Sequence, residues 1–94
     1  MNFGEAIQAM KDGKKVARSG WNGKGMWISR THRRVLDVDK DDIWTLNIKE
    51  QAIKNGGKVE ICPYISMKTA DNKIQIGWLA SQPDILSDDW GIVE

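Results

Sequence analysis

Cysteine and histidine each occur once in the 94 residues, which makes the chemistry most often built from them hard to assemble. Cys62 has no second cysteine to pair with, so an internal disulfide is excluded and a reducing compartment is expected. It alternates with Glu60 and Tyr64, as a structural thiol on a strand does. His32 lies beside Arg33 and Arg34, in the setting of an exposed loop residue, and is distant from Cys62 in the chain. No His/Cys group has zinc spacing. There is no phosphate-binding loop, and Gly20, Gly23 and Gly25 do not follow the G-x-G-x-x-G pattern of dinucleotide sites. Asp37, Asp39 and Asp41 open like a calcium loop, but its sixth position is Asp42 instead of Gly and its twelfth is Ile48 instead of Glu, which excludes that reading. No run of about 18 apolar residues occurs, so no membrane span is expected. A basic stretch followed by an apolar one is missing from the first residues, so no secretory leader is expected either. Catalysis, metal binding and a resident cofactor are therefore not expected. A binding protein is.

The net charge is only +1, but it is unevenly spread. Residues 1–34 hold eight Lys/Arg and two acids, and residues 35–94 hold six Lys/Arg and eleven acids. That is not the overall basic character of a protein that binds DNA or RNA polymers, although a local basic patch against a phosphate is compatible with it. A chain this short buries only about 60–65% of its unfolded surface, so its core is marginal and association with further copies would help it.

The patterning predicts one α+β domain over residues 1–94, with a mainly antiparallel sheet and short helices in the order α-β-β-α-β-β-α-β. Phe3, Ala6, Ile7 and Met10 share a helical face behind an Asn2 cap with Glu5 as its boxed acid, and Gly13 is the stop. Strands are expected over 15–18 and 26–31. In the second, Trp27, Ser29 and Thr31 face away from Met26, Ile28 and Arg30. Residues 32–40 read as a solvated loop, and 43–54 as a partial helix burying Trp44 and Leu46. Val59 to Lys68 alternates as one strand, with Pro63 marking an edge or bulge. Residues 70–73 form a turn and Ile74 to Trp78 a further strand. Ser81 with Asp84 opens a short helix, and Trp90 to Val93 closes the chain as a strand.

The stretch Arg18 to Trp27, R-S-G-W-N-G-K-G-M-W, is the centre of this pattern. Asn22-Gly23 is a turn pair, and the glycines let backbone pass close to something flat. Trp21 and Trp27 bring planar surfaces with one N–H each. With Trp78, Arg18, Lys24 and Lys68 they make a kit for stacking a base and neutralising a phosphate. Thr69, Asp71, Ser81 and Asp84 are candidates for ribose hydroxyls. The alternative is structural: a hairpin whose Trp fill a small core, with Ser81 and Asp84 as helix caps and Thr69 and Asp71 as turn residues.

The opening M-N-F-G-E-A-I-Q-A-M-K-D-G-K-K-V-A-R-S-G-W-N-G-K-G-M and the later P-Y-I-S-M-K-T-A-D-N-K-I-Q-I-G-W-L-A-S-Q-P-D-I-L-S-D-D-W resemble a family of small phage and prophage proteins. That family includes the second type of Thoeris anti-defense protein. Together the two blocks cover more than half of the chain, and residues 30–42 carry no family pattern. The resemblance implies a non-enzymatic sponge that captures the Thoeris immune signal, glycocyclic ADP-ribose, in the cytoplasm of the infected bacterial host. It also implies a homotetramer with ligand pockets between subunits, and in some members a separate site for cyclic oligonucleotides. Phe3, Arg18, Trp21, Asn22, Trp27, Thr69, Asp71, Trp78, Ser81 and Asp84 are the candidate ligand-binding residues. A sponge for cyclic oligonucleotides, an enzyme acting on a nucleotide signal and a protein-binding inhibitor of a host defense component are the competing functions.

Overall fold

In the computed structural model, which describes residues 1–94, the elements follow the chain in this order. They are α1 (Phe3–Lys11), β1 (Lys15–Arg18), β2 (Trp27–Thr31), β3 (Arg34–Asp37), α2 (Leu46–Lys54), β4 (Lys58–Ile61), β5 (Tyr64–Lys68), β6 (Ile74–Ile76), α3 (Gln82–Leu86) and β7 (Trp90–Val93). Single 3₁₀ turns lie at Ser19–Trp21 and Val38–Lys40. The chain divides into two units, residues 1–31 with 64–94, and residues 32–63.

The first unit is an α+β layer, with a five-stranded antiparallel sheet in the order β6-β5-β2-β1-β7. Helix α1 starts where expected: Asn2 Oδ1 accepts from the Glu5 N–H at 2.8 Å, and Glu5 Oε1 accepts from the Asn2 N–H at 3.0 Å. Both early orphan donors are thereby satisfied. Ala6, Ala9 and Met10 pack from α1 onto Val16, Ile28 and Trp90, and these six residues form the buried core. Val16 faces Ile28 on one side and Ile92 on the other, so β1 lies in the middle of the packed surface. Since Ile28 points to this core, alternation turns Trp27 to the opposite face of the sheet.

The second unit is a β3–β4 hairpin ladder with α2 packed against β4. Leu36 and Ala52 are fully buried in it.

Four local expectations need correction. Residues 34–37 are a strand instead of solvated loop: Leu36 pairs with Val59 and is buried. The Val59–Lys68 run is two strands in two different sheets, parted at Cys62-Pro63, because proline cannot donate to a ladder. Strand β6 stops at Ile76, since Gly77 adopts φ +87°, and Trp78 follows the strand instead of ending it. Trp44 and Leu46 are exposed, 64% and 70%. The Thr45 hydroxyl accepts from the Ile48 N–H and starts the helix at Leu46. Counting turns from there, Ile48 and Ala52 share the inward face while Leu46 and Ile53 share the outward one.

Candidate functional site

Four aromatic rings from four separate segments of the chain meet at one end of the large sheet. Trp90, at the start of β7, is buried, and its Nε1–H donates to the Asp84 carbonyl at 2.9 Å. Trp21 stands edge-on to it with centroids 5.3 Å apart, and edge-on to Trp78 at 6.3 Å. Trp78 and Trp90 are again edge-on at 6.3 Å. Phe3, the first residue of α1, closes the group 5.3 Å from Trp90 and 6.5 Å from Trp78. Edge-on packing places the positive ring edge against a negative face and fixes each ring's orientation.

Beside the rings lies a charged clamp. Arg18 Nε donates to Asp89 Oδ1 at 2.9 Å, and Arg18 Nη1 donates to Asp84 Oδ1 at 2.8 Å. Asp89 Oδ2 also accepts from the Gly20 N–H at 2.8 Å and the Ser19 hydroxyl at 3.3 Å. Asp84 Oδ2 accepts from the Ser81 N–H and hydroxyl, which makes the cap of α3. The Arg18 guanidinium, with help from the Gly20 N–H, holds the Asp89 carboxyl below its ordinary value. Burial pushes the Asp84 carboxyl up, but hydrogen bonds from Arg18, Ser81 and Trp21 outweigh it and leave it lowered. The guanidinium in turn is held above its usual value, by Asp89 first and Asp84 second.

On from the clamp, the glycine-rich loop borders a half-open cavity of about 250 Å³ whose walls include Ala17, Arg18, Trp21, Lys24, Met26 and Val93. Asn22, Gly23 and Gly25 all take positive φ, 61°, 65° and 74°. The Lys68 ammonium donates to the Gly25 carbonyl at 3.0 Å and ties the loop to β5. Trp21 belongs to both structures: it is one of the four rings and one wall of the cavity. A planar group entering the cavity meets an indole, and Lys24, exposed at the same wall, supplies positive charge.

Residues 1–93 match the sequence profile of the Thoeris anti-defense 2-like domain. The chain belongs to that family. It is similar to Thoeris anti-defense 2 of Bacillus phage SP01, 41% identical over 93 residues that cover 99% of this chain and 94% of the phage protein.

The fold of this Thoeris anti-defense 2-like chain brings together Phe3, Arg18, Trp21, Trp78, Ser81 and Asp84. Asn22 adjoins Trp21 in the loop, as the left-handed residue that ends the 3₁₀ turn. Three other candidates stand apart from the four-ring group. Trp27 lies on the far face of the sheet with the Lys15 ammonium 5.2 Å from its ring centroid. Thr69 and Asp71 belong to the β5–β6 turn, where the Thr69 hydroxyl donates to Asp71 and accepts from the Lys73 N–H. That contact lowers the Asp71 carboxyl below its ordinary value. Trp90 and Asp89 are additions that the sequence reading left out of the site. Their signal is the register: Arg18 lies directly opposite Trp90 on β7, so the acid just before that strand meets the guanidinium. No helix of this chain is long and apolar enough to cross a membrane.

Proposed function

We propose that this protein is a Thoeris anti-defense sponge that captures and holds an adenine-nucleotide immune signal of the glycocyclic ADP-ribose type without degrading it, so that the signal does not reach its effector. Family membership supports the anti-Thoeris role, and the name of the SP01 relative points the same way. The observation that carries the ligand reading is the double position of Trp21, locked edge-on by two other indoles while walling a cavity that also holds Lys24. A fixed indole stacks a base with little entropic cost, and an ammonium beside it meets a phosphate. A sponge needs affinity without turnover, and nanomolar capture requires about 12 kcal/mol.

The cavity is small beside the range of about 300–1,000 Å³ typical of small-molecule sites. One chain would hold part of such a ligand and a second copy the rest. Exposed Ile74 and Ile76 on the outer strand β6, with Leu79 beyond them at 93% exposure, offer a separate apolar surface for association, at the sheet edge opposite β7. A homotetramer working in the cytoplasm of the infected cell is the assembly we propose.

The test is to incubate the protein with lysate of infected Thoeris-positive cells, wash, heat, and analyse the released small molecules by mass spectrometry. An intact glycocyclic ADP-ribose supports the sponge. A cleaved product would establish an enzyme instead, and a protein that returns no nucleotide and gains no heat stability from any would be a protein-binding inhibitor.

A further inference from the structure

Arg18 looks at first like the residue that meets the ligand's phosphate, since it is a cation in the cavity wall. Its surroundings argue otherwise. The side chain is only 17% exposed, and two different nitrogens are committed to two carboxylates, Nε to Asp89 and Nη1 to Asp84. One positive and two negative charges leave the cluster with a net charge of −1, which repels an anion. The same three residues hold the structure around Trp21 on every side. Asp89 fixes the backbone of Ser19–Trp21 through the Gly20 N–H, and the Ser19 N–H donates to the Asp89 carbonyl at 3.1 Å. Asp84 accepts from Trp90 through its carbonyl and from Arg18 and Ser81 through its carboxylate. A methyl group at Gly20 would fall 2.9 Å from Asp89 Oδ2, so the turn lies directly on the clamp.

We propose that Arg18, Asp84 and Asp89 are positioning residues, which set the orientation of Trp21 at the cavity, and that Lys24 is the cation that meets the anionic part of a nucleotide ligand. This rests on the ligand reading above. It yields a separation that a phosphate-binding Arg18 does not. Loss of the clamp weakens stacking, and so weakens charged and uncharged ligands by the same factor. Loss of Lys24 weakens only the charged ones, and does so more at low salt, where screening is least.

The experiment titrates the full-length protein with ADP-ribose and with adenosine, and records near-ultraviolet circular dichroism of the coupled indoles without ligand. Asp89→Asn and Arg18→Lys should each lose about ten- to a hundredfold in affinity for both ligands, the range of one stacked base, with a changed near-ultraviolet spectrum and an unchanged far-ultraviolet one. Lys24→Ala should keep the wild-type spectrum, bind adenosine normally and lose affinity for ADP-ribose alone. Should Asp89→Asn fail to fold, Arg18→Lys carries the same comparison. A clamp variant that loses ADP-ribose but keeps adenosine, or keeps the wild-type near-ultraviolet spectrum, overturns the proposal. If wild-type protein binds neither compound, the nucleotide reading of the cavity fails, and with it the role of Lys24, while the spectra still decide whether the clamp orients Trp21.

Discussion

Thr31 and Tyr64 lie directly opposite each other as the last pair of the β2–β5 ladder, and the whole of residues 32–63 leaves and returns between them. The β2–β5 pair is thus a hairpin in all but its connection. Replacing residues 32–63 by Asn-Gly, the two-residue link that suits hairpin twist, should leave the five-stranded unit folded. A cooperative thermal transition and the near-ultraviolet signal of Trp21, Trp78 and Trp90 should both survive. A non-cooperative melt would show that the large sheet depends on the excursion.

Two apolar truncations should differ sharply. Ile28 of β2 is fully buried in the core with Val16 and the α1 residues, and Ile28→Ala should cost about 2–5 kcal/mol through lost transfer energy and the cavity left behind. Trp44 is 64% exposed, so Trp44→Ala should stay within about 0.5 kcal/mol. Denaturant titration of both variants measures this. Equal losses would mean that Trp44 is covered in solution.

These cases show how far the sequence could be read. Helix α1, the Ser81 cap and the strands around Val16 and Ile28 follow from local pattern, because cap chemistry and alternation act within a few residues. Trp44 was misplaced because an apolar side chain near a helix start fits either face, and the Thr45 cap decides which. Leu36 was missed because its strand is too short to alternate visibly. The site was half legible. Trp21, Trp78 and Arg18 stood out by type, whereas Asp89 joins them only through the β1–β7 register, which no local signal reveals. The alternation that turns Trp27 away from Ile28 was legible, but not that the other rings gather on the side Ile28 faces.

Gly20 is held to its size by contact. A Cβ there would lie 2.9 Å from Asp89 Oδ2, closer than real Cβ atoms sit, and 3.1 Å from Arg18 Nη2, tighter than most. Gly20→Ala should lower the melting temperature and shift the near-ultraviolet spectrum in the direction of Arg18→Lys. Gly23, whose added Cβ meets nothing, gives the control in Gly23→Asn, since asparagine tolerates left-handed backbone. A wild-type melting temperature and spectrum for Gly20→Ala would refute the close contact.

Acid should loosen the clamp. Asp84 and Asp89 titrate below the aspartate value of 3.8. A carboxylate lowered in the folded state gives stability that is complete above its unfolded value and vanishes as pH falls through the folded one. The melting temperature should thus be flat from roughly pH 5 to 7 and drop below about pH 4. Asp89→Asn should start lower at neutral pH and fall less steeply in acid. Parallel curves for the variant and the wild type would remove Asp89 from the account.

The outer strand β7 pairs with β1 from Lys15–Val93 to Arg18–Trp90, which joins the two ends of the chain. During synthesis β1 is made long before its partner exists, because every other strand of the two sheets lies between them in the chain. Contacts of such long sequence separation form late, because the loop they close is entropically costly. Asp84, Asp89 and Trp90 lie in the stretch that leads into β7, so a chain truncated before it carries Trp21 and its loop without the clamp. The capacity to orient Trp21 therefore arrives at once, when the stretch from Asp84 to Trp90 meets β1, and a chain cut before Asp84 would keep Trp21 and Lys24 but lose both their frame and the Val93 wall.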